Sequence, residues 1–150
     1  MKQEDMMFVV KAPRTCAAQI AEAEKALGIE FPDDYRRFLL LHNGGRSKLC
    51  VCAKPFLRLN EWSSVCAKER LPRISSLVGV HQRLREHLTD DFLSIAGTVG
   101  DCDLIMRVRG PDRYRLGVWD IESEEPHKVI LPFASFTDLL DHLEHSEEFV

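Results

Sequence analysis

The chain has 150 residues, of which 45% are hydrophobic and 29% charged, with a net charge of -4 at pH 7. This composition excludes a disordered chain and can supply a real core, and no apolar stretch reaches the about 20 residues needed to cross a bilayer as a helix. The acidic balance argues against a general nucleic-acid binder and suits a partner with a basic groove. The length fits one domain spanning 1–150. The opening Met1-Lys2-Gln3-Glu4-Asp5 carries acids rather than a long apolar run, unlike a signal peptide, so a cytoplasmic location is expected. The five cysteines, an odd number without a secretory signal, read as reduced thiols rather than a disulfide framework.

Phe8-Val9-Val10 is a short strand or an apolar lead-in. Thr15 is placed to cap a first helix over 16–27, in which Ile20, Ala23 and Leu27 recur at helical spacing. Gly28 ends it, because glycine enters the left-handed cap conformation cheaply. Pro32 then opens a second helix over 33–42, where its missing N–H costs nothing. Tyr35, Phe38, Leu39 and His42 share one face, and Asn43-Gly44-Gly45 stops the helix.

Residues 46–73 are rich in basic side chains, and Leu49, Val51, Leu57 and Leu59 suggest strands around Pro55, at an edge of the sheet. A third helix is predicted over 75–87, capped by Ser75 or Ser76, with Leu77, Val78, His81, Leu84 and Leu88 as its stripe. Beyond it the pattern becomes strand-like. Phe92 to Ala96 is a strand, Gly97 to Asp101 a turn, and Leu104 to Arg109 a strand that turns at Gly110-Pro111 into Tyr114 to Asp120. A loop follows at Glu122 to Pro126, then a last strand at Val129-Ile130-Leu131. Ser135 opens a final helix with Leu139, Leu140 and Leu143 inward.

Ile20, Glu24, Leu27, Gly28, Pro32, Tyr35, Phe38, Leu39, Asn43 and Gly44 stand as they do in the N-terminal signature of the SUKH superfamily, which this chain resembles. Phe31 takes the place of the usual leucine. Ile95-Ala96 with Gly100, Val118-Trp119-Asp120 and Ser135-Phe136 through Leu140 are similar to the second half of the pattern. The resemblance covers about 15–45 and 92–143, and leaves 46–91 unmatched. Such proteins include bacterial immunity proteins that neutralise secreted toxins, and fungal regulators of cell-wall synthesis. The resemblance implies an α+β single domain, with helices packed on one largely antiparallel or mixed sheet. It also implies a binding protein rather than an enzyme.

Glu24 sits beside the buried stripe of the first helix, where a carboxylate must find donors. Its expected role is structural: accepting hydrogen bonds from a backbone turn, near Asn43-Gly44. With Pro32, Tyr35, Asn43, Gly44 and Trp119 it forms the structural motif. Cys50-Val51-Cys52 and His142-x-x-His145 lack the four-ligand spacing of zinc, so no metal or cofactor is assigned. Asp101 and Asp103 read as solvated acids on a turn, without the ligand pattern of a cation loop.

The charge asymmetry is more informative. Asp120, Glu122, Glu124, Glu125, Asp138, Asp141 and Glu144 form an acidic end, opposed in that stretch by Lys128. These acids, with Trp62 as an exposed aromatic anchor, are the expected partner-binding residues. The reading is an immunity protein that binds a cognate toxin, a nuclease by analogy, and occludes its groove, with no direct contact to nucleic acid or membrane. The alternatives are an intracellular regulatory or scaffold domain, which the lack of long low-complexity flanks disfavours, and an enzyme built on Glu24, His42 or the cysteines.

Overall fold

The structure is a computed structural model that describes residues 5–53, 56–65, 76–100, 102–122 and 128–146. In chain order the elements are β1 (Phe8–Lys11), α1 (Ala17–Leu27), α2 (Asp33–Leu41), β2 (Gly45–Ser47), β3 (Leu49–Cys52) and β4 (Leu57–Trp62). Then come α3 (Leu77–Leu88), β5 (Phe92–Thr98), β6 (Cys102–Arg107), β7 (Leu116–Asp120), α4 (Phe136–His142) and β8 (Glu144–His145). This is the α+β class read from the sequence.

Among the described residues the strands form one sheet of eight, in the order β1-β2-β4-β5-β6-β7, and β3 joins β4 to β8. All named strand pairs are antiparallel. β4 is the hub. Its Trp62 end pairs with β2, its Leu57 end pairs with β3, and β5 lies along its other edge. The edge position expected around Pro55 therefore does not hold for β4. Pro55 itself lies outside the described residues.

Side chains in register point to the same side of the sheet. Leu93, Met106 and Leu116 enter the main core with Ile20, Tyr35, Phe38, Trp62 and Phe136. Phe92, Ile105 and Trp119 point the other way and form a smaller cluster with Leu88 of α3. Both faces of β5 and β6 are thus apolar, which explains why β5 reads as a continuous buried run rather than an alternating one.

The C-terminal segment straps the main core. Phe133 bridges to Leu116 on β7, α4 follows, and β8 ends against β3. Phe136, Leu139, Leu140 and Leu143 are buried beneath the strap.

Several sequence expectations need correction. Cys16, not Thr15, is the N-cap of α1, with no side-chain hydrogen bond; Thr15 Oγ1 donates to Gln19 Oε1 instead, at 2.7 Å. Val129 to Leu131 do not form a strand. Leu131 packs at the edge of the second cluster, and the pairing with β7 falls on Phe133. Gly97 is within β5 rather than in a turn, and Asp103 lies within β6, paired to Trp119 and Gly97. The stretch 46–91, which the motif resemblance left unmatched, supplies β3, β4 and α3.

Candidate functional site

The α1–α2 joint is built by a carboxylate. Glu24 Oε2 accepts the Phe31 backbone N–H and the Arg36 guanidinium, both at 2.8 Å. The Glu24 side chain is only 13% exposed, so this pair is partly shielded from water. The hydrogen bond to Glu24 is also the main reason the Arg36 pKa rises above its ordinary value. The expected backbone turn does hold Glu24, but it is the joint before Pro32, not Asn43-Gly44. Gly28, at φ 69°, lets α1 end there, and the Arg109 guanidinium covers the freed carbonyls of Leu27 and Gly28.

Pro32 caps α2 in an extended conformation, and Tyr35, one turn in, is fully buried. The Tyr35 ring meets Phe31, Phe38 and Phe136, whereas its hydroxyl has no hydrogen-bond partner among the described residues. Burial holds the phenol in its neutral form, with a pKa well above the ordinary range. Asn43 is buried and left-handed, with φ 53°. Its amide donates to Pro13 O at 2.8 Å, and its Oδ1 accepts the Val65 N–H at 3.0 Å. Gly44 follows because a Cβ there would sit 2.8 Å from the Trp62 carbonyl. The motif residues thus fasten the ends of β1, α2 and β4 together.

Trp62 is not an exposed anchor. It is 1% exposed, packs against Phe38 and Phe136, and donates its indole N–H to Ser47 Oγ at 3.0 Å. Of the polar neighbours that suggested exposure, Asn60 is exposed, whereas Ser63 and Ser64 are themselves buried. Trp119 is buried in the second cluster.

The acids lie on different elements. Asp120 ends β7 and Glu122 follows it in a turn, where its N–H is accepted by Asp120 Oδ1 at 3.0 Å. Asp141 is exposed on α4, and Glu144 is exposed on β8. Asp138 is half-buried and accepts the Ala134 N–H at 2.8 Å, so it helps shape the entry to α4. Glu124 and Glu125 lie outside the described residues.

A cleft of about 260 Å³ opens between α3 and the second face of the sheet. α3 contributes Val80, Arg83 and Leu84, while the strands contribute Glu61, Ser94 and Asp103. Desolvation pushes the Asp103 carboxyl above its ordinary value, and nearby Arg83 only partly opposes this. Among the described residues no group of three or more His, Cys, Asp or Glu could hold a metal ion.

A family model described as SMI1/KNR4 family (SUKH-1) matches residues 16–142. The chain belongs to this family. The SUKH match runs through the stretch 46–91 that the motif reading left blank, in agreement with the central place of β4. The chain is also similar to an uncharacterized protein, YnaB, of Bacillus subtilis (strain 168). That similarity is 46% identity over 41 residues, covering 27% of this chain and 28% of YnaB. Among the described residues no helix is long and apolar enough to cross a membrane.

In this SUKH chain, the residues of the cleft escaped the sequence reading. Asp103 follows a Gly-rich segment and looks like a turn acid. The usable signal was the register of the Leu104-Ile105-Met106 strand, which extends back far enough to include it.

Proposed function

We propose that this SUKH protein is an immunity protein acting in the cytoplasm, which neutralises a cognate toxin by stoichiometric binding. The SUKH family is known for binding partner proteins, and its members include immunity and regulatory proteins. The observation that carries the reading is the match to the family across 16–142. The engagement of Glu24 with Phe31 N–H and Arg36 supports it, since these bonds give the motif carboxylate a structural task.

The partner class is a nuclease toxin domain, whose basic groove would meet an acidic surface. Asp120, Glu122, Asp141 and Glu144, with Glu124 and Glu125, are the residues proposed to face it, and Asp138 contributes charge while holding its own helix turn. Steering by such a surface accelerates association and weakens with salt.

The test is a pull-down with the tagged protein against inactivated toxin domains from its source genome, read by mass spectrometry. Recovery of one stoichiometric toxin domain whose activity the protein blocks is the expected result. Charge reversal at Asp141 and Glu144 should then slow association. Recovery of cell-envelope regulators alone would favour the regulatory role instead.

A further inference from the structure

The register of the sheet gathers residues far apart in sequence at one of its ends. Glu144 of β8 pairs with Val51 of β3, and Val51 pairs with Arg58 of β4. Arg58 O accepts the Val99 N–H where β5 turns toward β6. Cys102, at the start of β6, pairs with Asp120 at the end of β7. Phe56 precedes β4 at this same end, and Ile121 and Glu122 follow β7 there. Adjacent strands lie about 4.8 Å apart, so the row from β8 through β3, β4, β5 and β6 to β7 spans about 24 Å. That is close to the width of a surface burying about 800 Å² on each partner.

Two properties coincide along this row. Phe56 is 73% exposed and Val99 59%, and Ile121 is exposed as well. Single apolar residues on a surface are ordinary, whereas several on adjoining strand ends mark a contact surface. Acids border them on both sides, Glu144 on β8 and Asp120 and Glu122 at the end of β7. None of these three acids forms an ion pair among the described residues. Arg58 stands in the same row and donates to Ser146 Oγ at 3.3 Å, so three acids face one guanidinium and the row is net negative. An apolar centre with a charged border is the anatomy of a protein contact, in which aromatic side chains anchor and border charges select the partner.

We propose that this end of the sheet is the docking surface for the partner protein, which meets it with an apolar patch bordered by lysine or arginine. Phe56, Val99 and Ile121 form the centre of the contact, and Asp120, Glu122 and Glu144 face the basic border. The partner's identity as a toxin rests on the immunity reading. The preference for an apolar and basic ligand does not, and it can be measured on this protein alone.

The experiment titrates isotope-labelled protein with the end-blocked peptide Arg-Leu-Trp-Leu-Arg and follows the amide shifts of Val99, Cys102, Ile121 and Glu144. Two counterparts are run beside it, one with glutamate for both arginines and one with serine for the three apolar residues. The expected result is saturable shifts with Arg-Leu-Trp-Leu-Arg at concentrations on the order of 1 mM, and binding of both counterparts weaker by about tenfold or more. Phe56→Ser with Ile121→Ser, and Glu122→Lys with Glu144→Lys, should each weaken binding about tenfold while the rest of the spectrum is retained. Val9→Ser, on β1 and joined through β2 to the opposite end of β4, should bind like the parent.

Absence of saturable shifts, equal binding of either counterpart, or an equal loss in Val9→Ser would overturn the proposal. Shifts at these amides that grow with protein concentration in the absence of peptide would also overturn it, by giving the surface to a second copy of this chain. A toxin that binds the Phe56→Ser, Ile121→Ser variant as tightly as the parent would overturn the docking surface and leave the immunity function standing. Selective peptide binding with no toxin recovered would support the surface and count against the immunity reading.

Discussion

Glu24 and Tyr35 are neighbours in the SUKH motif with opposite energetic roles. Glu24 satisfies a backbone N–H and a guanidinium in a partly shielded site. Glu24→Ala should therefore cost about 1–3 kcal/mol of folding stability, measured by urea denaturation. The Tyr35 hydroxyl, in contrast, is buried without a partner among the described residues. Tyr35→Phe keeps the ring contacts and removes the orphaned group, so it should raise stability by about 1 kcal/mol. A loss of that size would show that the hydroxyl is hydrogen-bonded. The sequence made Glu24 legible as a structural carboxylate, because a charge beside an apolar stripe needs donors. It could not name Arg36 as the partner, since that contact depends on how the α1–α2 joint folds back.

At the scale of elements, Asp34 joins two helices far apart in sequence. Its Oδ2 accepts both the Thr137 backbone N–H, at 2.9 Å, and the Thr137 hydroxyl, at 3.0 Å. It thereby satisfies a free N–H in the first turn of α4 from outside that helix, alongside the cap from Ser135 to Asp138 N–H. Asp34→Ala should cost about 1–2 kcal/mol. It should also speed amide exchange in α4 and β8 more than in β5 and β6, because the strap loses an attachment. Uniform acceleration would show instead that α4 opens with the whole domain. The helices were legible from spacing, Gly28, Pro32 and Asn43. The end of the sheet was not: Val129 to Leu131 carry β-type residues, yet packing sends them along the second cluster rather than into a ladder. Trp62 failed for a related reason. Local polarity marked it as exposed, but a register irregularity between Leu59 and Glu61 breaks the period-two alternation of β4, so the indole joins the core of Leu57 and Leu59 rather than following the exposed Asn60.

At the scale of the molecule, the chain combines a rigid apolar sheet with a polar cleft that carries an unfavourable charge. Burial raises the Asp103 pKa, so the folded state holds its proton to higher pH than the unfolded chain does. Stability therefore falls as pH rises from the unfolded value toward the raised folded value, and the penalty is fully present above it. Asp103→Asn should be more stable than the parent at pH 7, with the difference vanishing below about pH 3.5, where both side chains are neutral. Urea midpoints at the two pH values check this. A parent more stable than the variant at pH 7 would mean that the carboxylate is satisfied within the fold.

The central claim is neutralisation by stoichiometric binding. Its most direct measurement is the residual activity of the cognate nuclease domain as this protein is titrated at a toxin concentration far above the dissociation constant. The account predicts a linear fall that ends sharply at one molecule of protein per toxin. Undiminished activity beyond equivalence, for a pair shown to form a complex, would contradict it.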